Sequence, residues 1–426
     1  MSIAGEHEAK GFGYPVSILD TDLYKLTMQQ AVLKHFPDQQ ATYRFTNRSK
    51  GMKFTRQCAD LIQERVAHFE NVHLKPSELE FLRDKCPYLS DAYVAYLGQY
   101  RFRPSEQVSV RFVPDEGEEE LGQVEINVRG LWVETILYEV PLMSIVSESY
   151  FNSVDKDWED EGQEELAFEK GRQLFQAGVA LSEFGSRRRR SYGTQETIIR
   201  GLIRANQNFG DKSGGGILVG TSNVHFAHKF GIKPVGTFAH EWPMGIAAIY
   251  RYERANTIAL QIWEDVYPGE QFNALHIALP DTFTTDAFYK YVFEADPSVA
   301  RRWRGLRQDS GDPETFARRA KDVYQSLGID WKTKTIMFSD GLDVEKCIHL
   351  DKVAKGLGFI PAFGVGTSLT NDFKKKSDKR ETSKPLNIVI KLVEMDGKPC
   401  IKISDDISKV TGDKKAVEEA RSALGI

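Results

Sequence analysis

The pattern of apolar and polar positions changes character near residue 130. Before that point, "DTDLYKLTMQQAVLKHF" and "TRQCADLIQERVAHFENV" carry apolar residues at helical spacing, and "ATYRFTNRS" alternates like a strand. The acidic stretch "DEGEEELG", residues 115–122, is typical of the exposed tip of a hairpin. The first region is therefore predicted to be an α+β domain.

Beyond residue 130, short apolar strands alternate with helical stretches, which include 190–207, 313–328 and 343–357. Repeated βα units favour parallel strands joined by right-handed crossovers. Seven units favour an irregular, incomplete parallel β/α barrel over an open doubly wound sheet. The seven predicted strands are 179–184, 216–219, 233–237, 274–279, 304–307, 334–338 and 359–363.

The end of the chain departs from this alternation. "NDFKKKSDKRETSKP" predicts a surface loop, and "LNIVIKLVEMDGKPCIKIS" predicts a β-hairpin that turns at "MDGK". A final helix is predicted over 413–424, and the hairpin is expected to return to the first domain. The predicted fold is thus α/β, with an α+β domain of residues 1–130 joined by 384–426 and a barrel domain of residues 131–370.

Composition narrows the class of protein. The net charge of −5 and the pI near 6.1 give no basic field for nucleic acid, and no apolar run reaches the roughly 18 residues of a membrane helix. Four scattered cysteines without a C-x-x-C pair indicate free thiols in a reducing compartment. The first 15 residues lack the pattern of a signal peptide and are expected to form a flexible lead-in. These features predict a cytoplasmic enzyme, with the nucleus left open as a second compartment.

Polar chemistry follows nearly every predicted barrel strand. The segments are "EFGSRRRR", "GTSN", "GTFAHE", "LPDTFTTD", "RQDSGDP", "FSDGLD" and "FGVGTSLTND". In parallel α/β barrels, functional groups lie on loops at the carboxyl ends of the strands. The seven segments are therefore expected to converge on one mouth.

The residue types at this mouth indicate its ligand. "GVGT" before a helix offers backbone N–H groups and a hydroxyl to a phosphate. Asp309, Asp312 and Asp340 suit sugar hydroxyls or hydrated Mg²⁺, while Arg187 and Arg307 suit a carboxylate or phosphate. Phe184 offers a stacking face to a planar ring. A phosphorylated sugar together with a flat anionic ring fits this set.

Each residue also has a plain structural interpretation. Asp309 or Ser310 alone would be a helix cap, and Arg188–Arg190 are expected to form a solvated face. His240 alone would more often be a core histidine than a catalyst. A zinc motif of the H-E-x-x-H kind is excluded, because Met244 stands where the second histidine would be. Only the joint occurrence after successive strands favours a site.

Seven segments together resemble the nicotinate phosphoribosyltransferase family, particularly its fungal form, in the same order from Leu19 to Ser404. They are "DTDLYKLTM", "EFGSRRRRS", "GTSN", "GTFAHEW", "RQDSGDP", "SDGLDVEK" and "FGVGTSLTND". The resemblance implies a glycosyltransferase of NAD salvage that makes nicotinate mononucleotide and pyrophosphate from nicotinate and phosphoribosyl pyrophosphate. It also implies Mg²⁺ as cofactor, ATP as co-substrate and a homodimer with shared active sites.

The resemblance also implies roles, by motif position. His240 would carry a phosphoryl group from ATP, with Asp281 as the residue that orients its ring and Glu241 as the alternative. Tyr24 and Phe184 would sandwich the pyridine ring, the tyrosine coming from a second subunit. The remaining expectations are Arg187, Thr237 and Arg307 at the nicotinate carboxylate, Asp309 and Asp340 at the ribose hydroxyls, Ser310, Gly341, Gly366 and Thr367 at the phosphoribose, and Arg48, Lys391 and Lys402 at the pyrophosphate. Direct metal ligands stay unassigned.

Two alternatives compete with this function. In nicotinamide phosphoribosyltransferase, an aspartate accepts the amide N–H, and Ser222 of "GTSN" stands at that position here. A carboxylate there would repel nicotinate, whereas serine would not, which favours the acid. The other alternative is a catalytically inactive homologue that binds nucleotide, against which His240, Asp309 and Asp340 speak.

Overall fold

The computed structural model describes residues 14–211 and 215–426. Residues 1–13 of the predicted lead-in lie outside the described residues. In the described ranges no helix is both long enough and apolar enough to cross a membrane. The strands are β1 (Gln40–Asn47), β2 (Phe54–Thr55), β3 (Val108–Pro114), β4 (Leu121–Leu131), β5 (Ala180–Glu183), β6 (Ile217–Thr221), β7 (Ile277–Ala278), β8 (Gly305–Gln308), β9 (Thr335–Phe338), β10 (Ile360–Val365), β11 (Phe373–Lys374), β12 (Thr382–Ser383), β13 (Ile388–Met395) and β14 (Lys398–Pro399).

An antiparallel sheet joins the two ends of the chain. Its order is β14-β13-β1-β4-β2, with β3 paired to β4 on the side. The predicted hairpin is confirmed: Asp396 and Gly397 both have positive φ (47° and 76°), as a tight two-residue hairpin turn requires. Its first strand returns to β1, where Phe45 pairs with Ile390. The predicted hairpin tip at 115–122 likewise joins β3 to β4.

A parallel sheet of order β6-β5-β10-β9-β8-β7 forms the second part. Six of the seven predicted strands are confirmed, but 233–237 is wrong: only an isolated parallel bridge links Thr221 to Pro234. This segment packs on the helix Leu23–His35 instead, whose Thr27 hydroxyl donates to the Thr237 carbonyl at 2.7 Å. Strands β6 and β7 are therefore the two ends of the sheet.

The predicted helices are present, and several begin at a side-chain cap. Asp312 and Asp343 each accept a backbone N–H three residues on, directly after β8 and β9. The α-helices are Leu23–His35, Arg56–Ala67, Pro76–Lys85, Asp91–Gln99, Pro104–Gln107, Trp132–Thr135, Glu139–Ser153, Gln163–Gln176, Tyr192–Phe209, Val224–Phe230, Glu241–Tyr250, Tyr252–Val266, Thr285–Phe288, Pro297–Arg302, Pro313–Ser326, Val344–Leu357, Thr367–Thr370 and Lys414–Leu424. Short 3₁₀ turns include Ser186–Arg188, Pro280–Thr282 and Ile407–Lys409.

One apolar core runs from the antiparallel sheet to the parallel sheet. Trp242 lies at its centre, 5.9 Å from the ring centroids of both Trp132 and Trp263. The last helix, Lys414–Leu424, packs on the helix Tyr252–Val266. The α/β class is thus confirmed, while the division into two domains stays a prediction.

Candidate active site

A cavity of about 1140 Å³ opens at the carboxyl ends of β5, β8, β9 and β10. The loops that follow these strands converge there, so that five of the seven predicted segments reach the cavity, whereas "GTSN" and "LPDTFTTD" contribute no lining residue. Strand β13 of the antiparallel sheet closes the opposite side. Twelve of the predicted site residues line the cavity: Arg48, Phe184, Arg187, His240, Arg307, Asp309, Asp340, Gly341, Gly366, Thr367, Lys391 and Lys402.

Phe184 lies flat against the neighbouring strand. Its N–H donates to the Val365 carbonyl at 2.7 Å, continuing the pairing of β5 with β10. A Cβ at Gly364 would lie 2.3 Å from Cε2 of the phenyl ring. Only glycine at 364 therefore leaves room for the ring to rest on the strand and turn a flat face to the cavity.

His240 stands just before the helix that begins at Glu241, and both ring nitrogens have partners. Nδ1 lies 2.9 Å from the Thr282 hydroxyl. Nε2 lies 3.0 Å from Asp309 Oδ2, 2.9 Å from Lys402 Nζ and 3.5 Å from Asp281 Oδ1. The predicted orienter Asp281 is within reach, but Asp309 is closer and Thr282 was missed. We call His240, Asp281, Asp309 and Lys402 the histidine cluster.

The charges of this cluster oppose one another. Burial lowers the pKa of His240 and outweighs Asp281 and Asp309, which raise it, while Lys402 lowers it further. Burial alone would raise the pKa of Asp309, but Arg307 and His240 hold it well below its ordinary value. A neutral imidazole therefore faces an ionised carboxylate at neutral pH.

The histidine cluster has the spacing of a metal site but contains its own cation. Ligand atoms of His240, Asp281 and Asp309 lie within 4.8 Å of one another. The Lys402 ammonium lies 2.9 Å from both His240 Nε2 and Asp281 Oδ2 and is buried. The ammonium thus takes the place of a metal ion here.

The charged residues of the ribose and ring predictions have partners within the chain, and Arg187 donates to Glu139 Oε1 at 3.2 Å. Arg307 donates to Asp309 Oδ1 at 3.0 Å and to the Ser339 hydroxyl at 2.8 Å. Asp340 pairs with Lys409 Nζ at 2.6 Å, and Lys409 also donates to the Asp309 carbonyl at 2.7 Å. Sequence reasoning missed Lys409, which the C-terminal segment brings to the mouth.

The cavity also has a basic wall. Arg48, Arg188 and Lys391 line it, and Arg188 donates to the Ile388 carbonyl at 2.9 Å. Burial, with the neighbouring cations Arg48 and Lys402, lowers the pKa of Lys391 to about 7. This wall is suited to a bound polyanion, because the negative charge of the polyanion would stabilise the protonated form of Lys391.

The expected solvated face of Arg188–Arg190 is wrong. Arg189 is buried and makes two 2.7 Å hydrogen bonds to the carboxylate of Asp20. Arg190 is 0% exposed, donates to the Ser383 hydroxyl, and lies 3.6 Å from the ring centroid of Phe151. A paired carboxylate and aromatic faces compensate their burial, so the run holds the loop after β5 in place.

Five predicted site residues do not line the cavity. Asp281 supports the histidine cluster from behind, and Ser310 donates to its Oδ2 at 2.5 Å instead of facing a phosphate. Ser222 is a correction: it is 3% exposed and donates to Asp22 Oδ1 at 2.7 Å, so its hydroxyl does not reach the cavity of this chain. The remaining two, Thr237 and Tyr24, lie where the 233–237 segment meets the first helix: the Thr237 carbonyl accepts from Thr27, and Gly236 lies against Tyr24.

Tyr24 is 9% exposed, and it has no ring contact with Phe184 among the residues that the structure describes. Its neighbour Lys25 is 0% exposed and pairs with Glu139 at 2.5 Å and with Glu241. Glu241 also accepts from the Tyr43 hydroxyl at 2.5 Å and from Trp132 Nε1 at 2.8 Å. We call Lys25, Glu139, Glu241, Tyr43 and Trp132 the lysine cluster. Glu241 is thereby directed away from the His240 ring.

Comparison with known proteins shows which family the chain resembles. The profile of the nicotinate phosphoribosyltransferase (NAPRTase) family matches residues 179–426, and that of its N-terminal domain matches residues 19–147. The chain is 46% identical to a Schizosaccharomyces pombe protein named as a nicotinate phosphoribosyltransferase, over 96% of this chain and 97% of that one. A crystal structure from Saccharomyces cerevisiae, titled as the same enzyme, superposes with a TM-score of 0.92 at 42% identity, over 96% and 98% of the two chains. The chain belongs to the nicotinate phosphoribosyltransferase family.

Proposed function

We propose that this chain transfers the phosphoribosyl group of phosphoribosyl pyrophosphate to nicotinate, which yields nicotinate mononucleotide and pyrophosphate. The observation that carries the proposal is the convergence of Phe184, His240, Asp309, Asp340 and Thr367 on one cavity. These groups provide a flat apolar face, carboxylates and a phosphate-binding turn, as a pyridine ring and a phosphorylated ribose require.

The chemistry asks for charge stabilisation and positioning. The pyridine nitrogen attacks the anomeric carbon with its lone pair, and the bond to pyrophosphate breaks with its electrons leaving on oxygen. Carboxylates near the ribose stabilise the positive charge that develops on the sugar, and cations neutralise the departing pyrophosphate. Asp309 and Asp340 are suited to the first task, and the basic wall of Arg48, Arg188 and Lys391 to the second.

Mg²⁺ fits this cavity through its oxygen donors. Asp340 and Asp343 line it, and hard carboxylate oxygens are the ligands that Mg²⁺ prefers beside substrate phosphates. When bound with pyrophosphate, Mg²⁺ would neutralise part of the leaving group's charge. The histidine cluster is not the place for it, because Lys402 already lies there.

ATP is proposed as co-substrate, with His240 carrying the phosphoryl group. A neutral imidazole is a nucleophile, and Nε2 of His240 lies against Asp309 and Lys402, which line the cavity with it, while Nδ1 lies against the buried Thr282. Phosphorylation would add about −1.5 to −2 charges at the mouth, which would order the cationic side chains around the substrates.

The acid is the proposed substrate, and not the amide. Arg187 and Arg307 both line the cavity, so a carboxylate has two guanidinium groups within the site. Ser222, which was expected to discriminate between acid and amide, lies outside the cavity and gives no argument for either, so the two guanidinium groups carry the choice of the acid. An inactive homologue would not need His240, Asp309 and Asp340 to be held with charged partners.

Three coarser expectations accompany the activity. The parallel sheet is proposed as an incomplete barrel, with the bridge at Pro234 beyond β6 beginning the missing strand. A homodimer is proposed because Tyr24 does not reach Phe184 within one chain. A cytoplasmic location is inferred from four free cysteines, all of them buried.

The deciding experiment is an assay with phosphoribosyl pyrophosphate and Mg²⁺, with and without ATP. Nicotinate, nicotinamide and quinolinate are compared as acceptors at equal concentration. We expect turnover of nicotinate, stimulation by ATP and little product from the other two. Turnover of nicotinamide in preference to nicotinate would overturn the proposed substrate, and no turnover of any acceptor would overturn the activity.

A further inference from the structure

Nε2 of His240 has two neighbours with opposite requirements. Asp309 Oδ2 at 3.0 Å is an acceptor and needs a proton on Nε2. Lys402 Nζ at 2.9 Å is a donor and needs a lone pair there. Both hydrogen bonds cannot exist at the same time, so the balance between Lys402 and the carboxylates decides the protonation state of this nitrogen.

We propose that Lys402 is a positioning residue that keeps the Nε2 atom of His240 unprotonated and directed into the cavity. This assigns Lys402 to the histidine, whereas the sequence suggested a pyrophosphate contact. The inference deepens the proposed function, on whose ATP-coupling step its catalytic consequence rests. In the resulting tautomer, the single ring proton is on Nδ1, which donates to the Thr282 hydroxyl at 2.9 Å.

The position of Lys402 is fixed by the fold. Its backbone N–H and carbonyl both pair with Thr411, and its side chain is 4% exposed overall. Asp281 Oδ2 accepts from the ammonium at 2.9 Å and is itself held by the Ser310 hydroxyl. A lysine held in this way has little freedom to reach a ligand elsewhere in the cavity.

All charged groups that face His240 are accounted for among the described residues. Asp281 follows β7, Asp309 follows β8 with Arg307 behind it, and Lys402 comes from the C-terminal segment. The two carboxylates favour imidazolium, and Lys402 is the cation that opposes them. Without Lys402, the imidazole would gain a proton on Nε2 and donate it to Asp309.

The chemical consequence is direct. With Nε2 unprotonated, its lone pair forms the N–P bond to the γ-phosphorus of ATP, the bond to the bridging oxygen breaks, and ADP leaves with that electron pair. No proton has to leave Nε2 first. The ammonium of Lys402, which donates to this lone pair at rest, passes its hydrogen bond to the phosphoryl oxygens as the lone pair forms the N–P bond.

The test compares Lys402→Met, Lys402→Arg and the parent chain. Lys398→Met, which removes an exposed lysine of the same hairpin, is the matched control. Labelling of the protein by γ-labelled ATP is followed against pH in single turnovers. In Lys402→Met, we expect the rising limb to move up by about one pH unit, so that labelling falls up to about tenfold on the acid side of that limb, because the carboxylates are then unopposed. Lys402→Arg should restore much of the profile, and Lys398→Met should match the parent.

A second measurement needs no ATP and so separates this inference from the proposed function. The nine histidines are titrated by NMR, and the His240 signal is assigned from its loss in His240→Ala. We expect His240 to protonate at higher pH in Lys402→Met than in the parent. An unchanged titration would overturn the role of Lys402 even if the parent is labelled. A parent that is never labelled, with the titration shifted as expected, would overturn the phosphohistidine alone.

Discussion

His240 and Glu241 are neighbours along the chain, but their side chains belong to two ionic clusters of different construction. In the lysine cluster, the buried ammonium of Lys25 lies between two carboxylates, and Glu241 also receives hydrogen bonds from Tyr43 and Trp132. In the histidine cluster, Asp309 and Lys402 compete for the same nitrogen. A buried cluster whose polar groups all have hydrogen-bond partners holds one structure. Two groups that compete for one nitrogen leave that nitrogen able to change its protonation state.

The pKa shifts follow the same division. Burial opposes the charge of Lys25, but Glu139 and Glu241 outweigh it and raise its pKa above the ordinary value. The Lys25 ammonium and the Glu139 carboxylate are therefore both charged across the physiological range, since Lys25 and Arg187 hold the pKa of Glu139 below its ordinary value. For His240, burial and Lys402 outweigh two carboxylates and lower the pKa, so that the neutral ring dominates at pH 7. Of the two clusters, only the histidine cluster contains a group whose pKa a single substitution would bring near neutrality.

The largest effect is expected for His240→Ala, which removes the centre of the histidine cluster. ATP hydrolysis, ATP stimulation and covalent labelling should be lost completely, because no nucleophile remains. Slow ATP-independent transfer should persist, since the ring and sugar contacts lie on other loops. The parent phosphoprotein should be acid-labile and base-stable, as a phosphorylated histidine is. A mutant that still couples ATP would show that His240 is only a core histidine.

Lys25→Met breaks the lysine cluster and should affect stability instead. It leaves Glu139 and Glu241 as buried carboxylates without their shared cation, which we expect to lower the free energy of unfolding by about 3–5 kcal/mol. Urea denaturation followed by fluorescence measures the loss. Lys34→Met is the control: its pair with Asp265 is half-exposed at 50% and 56%, so its loss should cost less than about 1 kcal/mol. Equal stability of the two variants would contradict the structural role of the cluster.

Ser222→Asp extends the comparison to a third buried carboxyl group. Ser222 donates to Asp22, whose pKa burial raises against the opposing effect of Arg187, so an aspartate at 222 would place two carboxyl groups together with one cation shared between them. We expect the free energy of unfolding, measured by thermal unfolding, to fall by on the order of 3 kcal/mol. Ser222→Asn introduces a neutral side chain of the same shape as aspartate and should lower it clearly less. If both variants unfold alike, the charge is not the cause.

The smallest effect is expected for Tyr24→Ala, beside the lysine cluster. If the tyrosine stacks on nicotinate in a partner's site, its loss removes about 1 kcal/mol and raises the KM for nicotinate roughly fivefold. Mixing Tyr24→Ala with Phe184→Ala should then restore activity through hybrid dimers, which contain one intact site. Absence of recovery, with subunit exchange demonstrated by native mass spectrometry, would contradict a shared site.

Local sequence patterns predicted most of the fold, because apolar runs followed by capping aspartates are similar wherever parallel strands precede helices. The strands β8, β9 and β10 and the helices behind them were predicted within a few residues. The segment 233–237 failed for a non-local reason. Its apolar residues are buried either by strand pairing or by the helix Leu23–His35, and the sequence does not reveal that a helix 200 residues away provides the partner.

The candidate site was predicted residue by residue but not contact by contact. His240, Asp309 and Asp340 were found because polar residues after strands are unusual. Thr282 and Lys409 were missed, because a threonine and a surface-type lysine carry no local signal. Lys402 and His240 lie far apart in sequence, and their contact depends on how the C-terminal segment crosses the mouth of the cavity. Local sequence patterns do not predict such contacts.

The position of the C-terminal segment across the mouth of the cavity has a consequence for the order in which the chain becomes complete during synthesis. During synthesis, the loops after β5 to β10 leave the ribosome before Lys402 and Lys409 do, and β1 waits for β13 with one edge unpaired. A nascent chain that has reached residue 370 thus has Asp281 and Asp340 without their lysines and a strand edge open to other chains. Both defects are closed only by the residues after 370, so shortened products of this message should aggregate rather than act as weak enzymes.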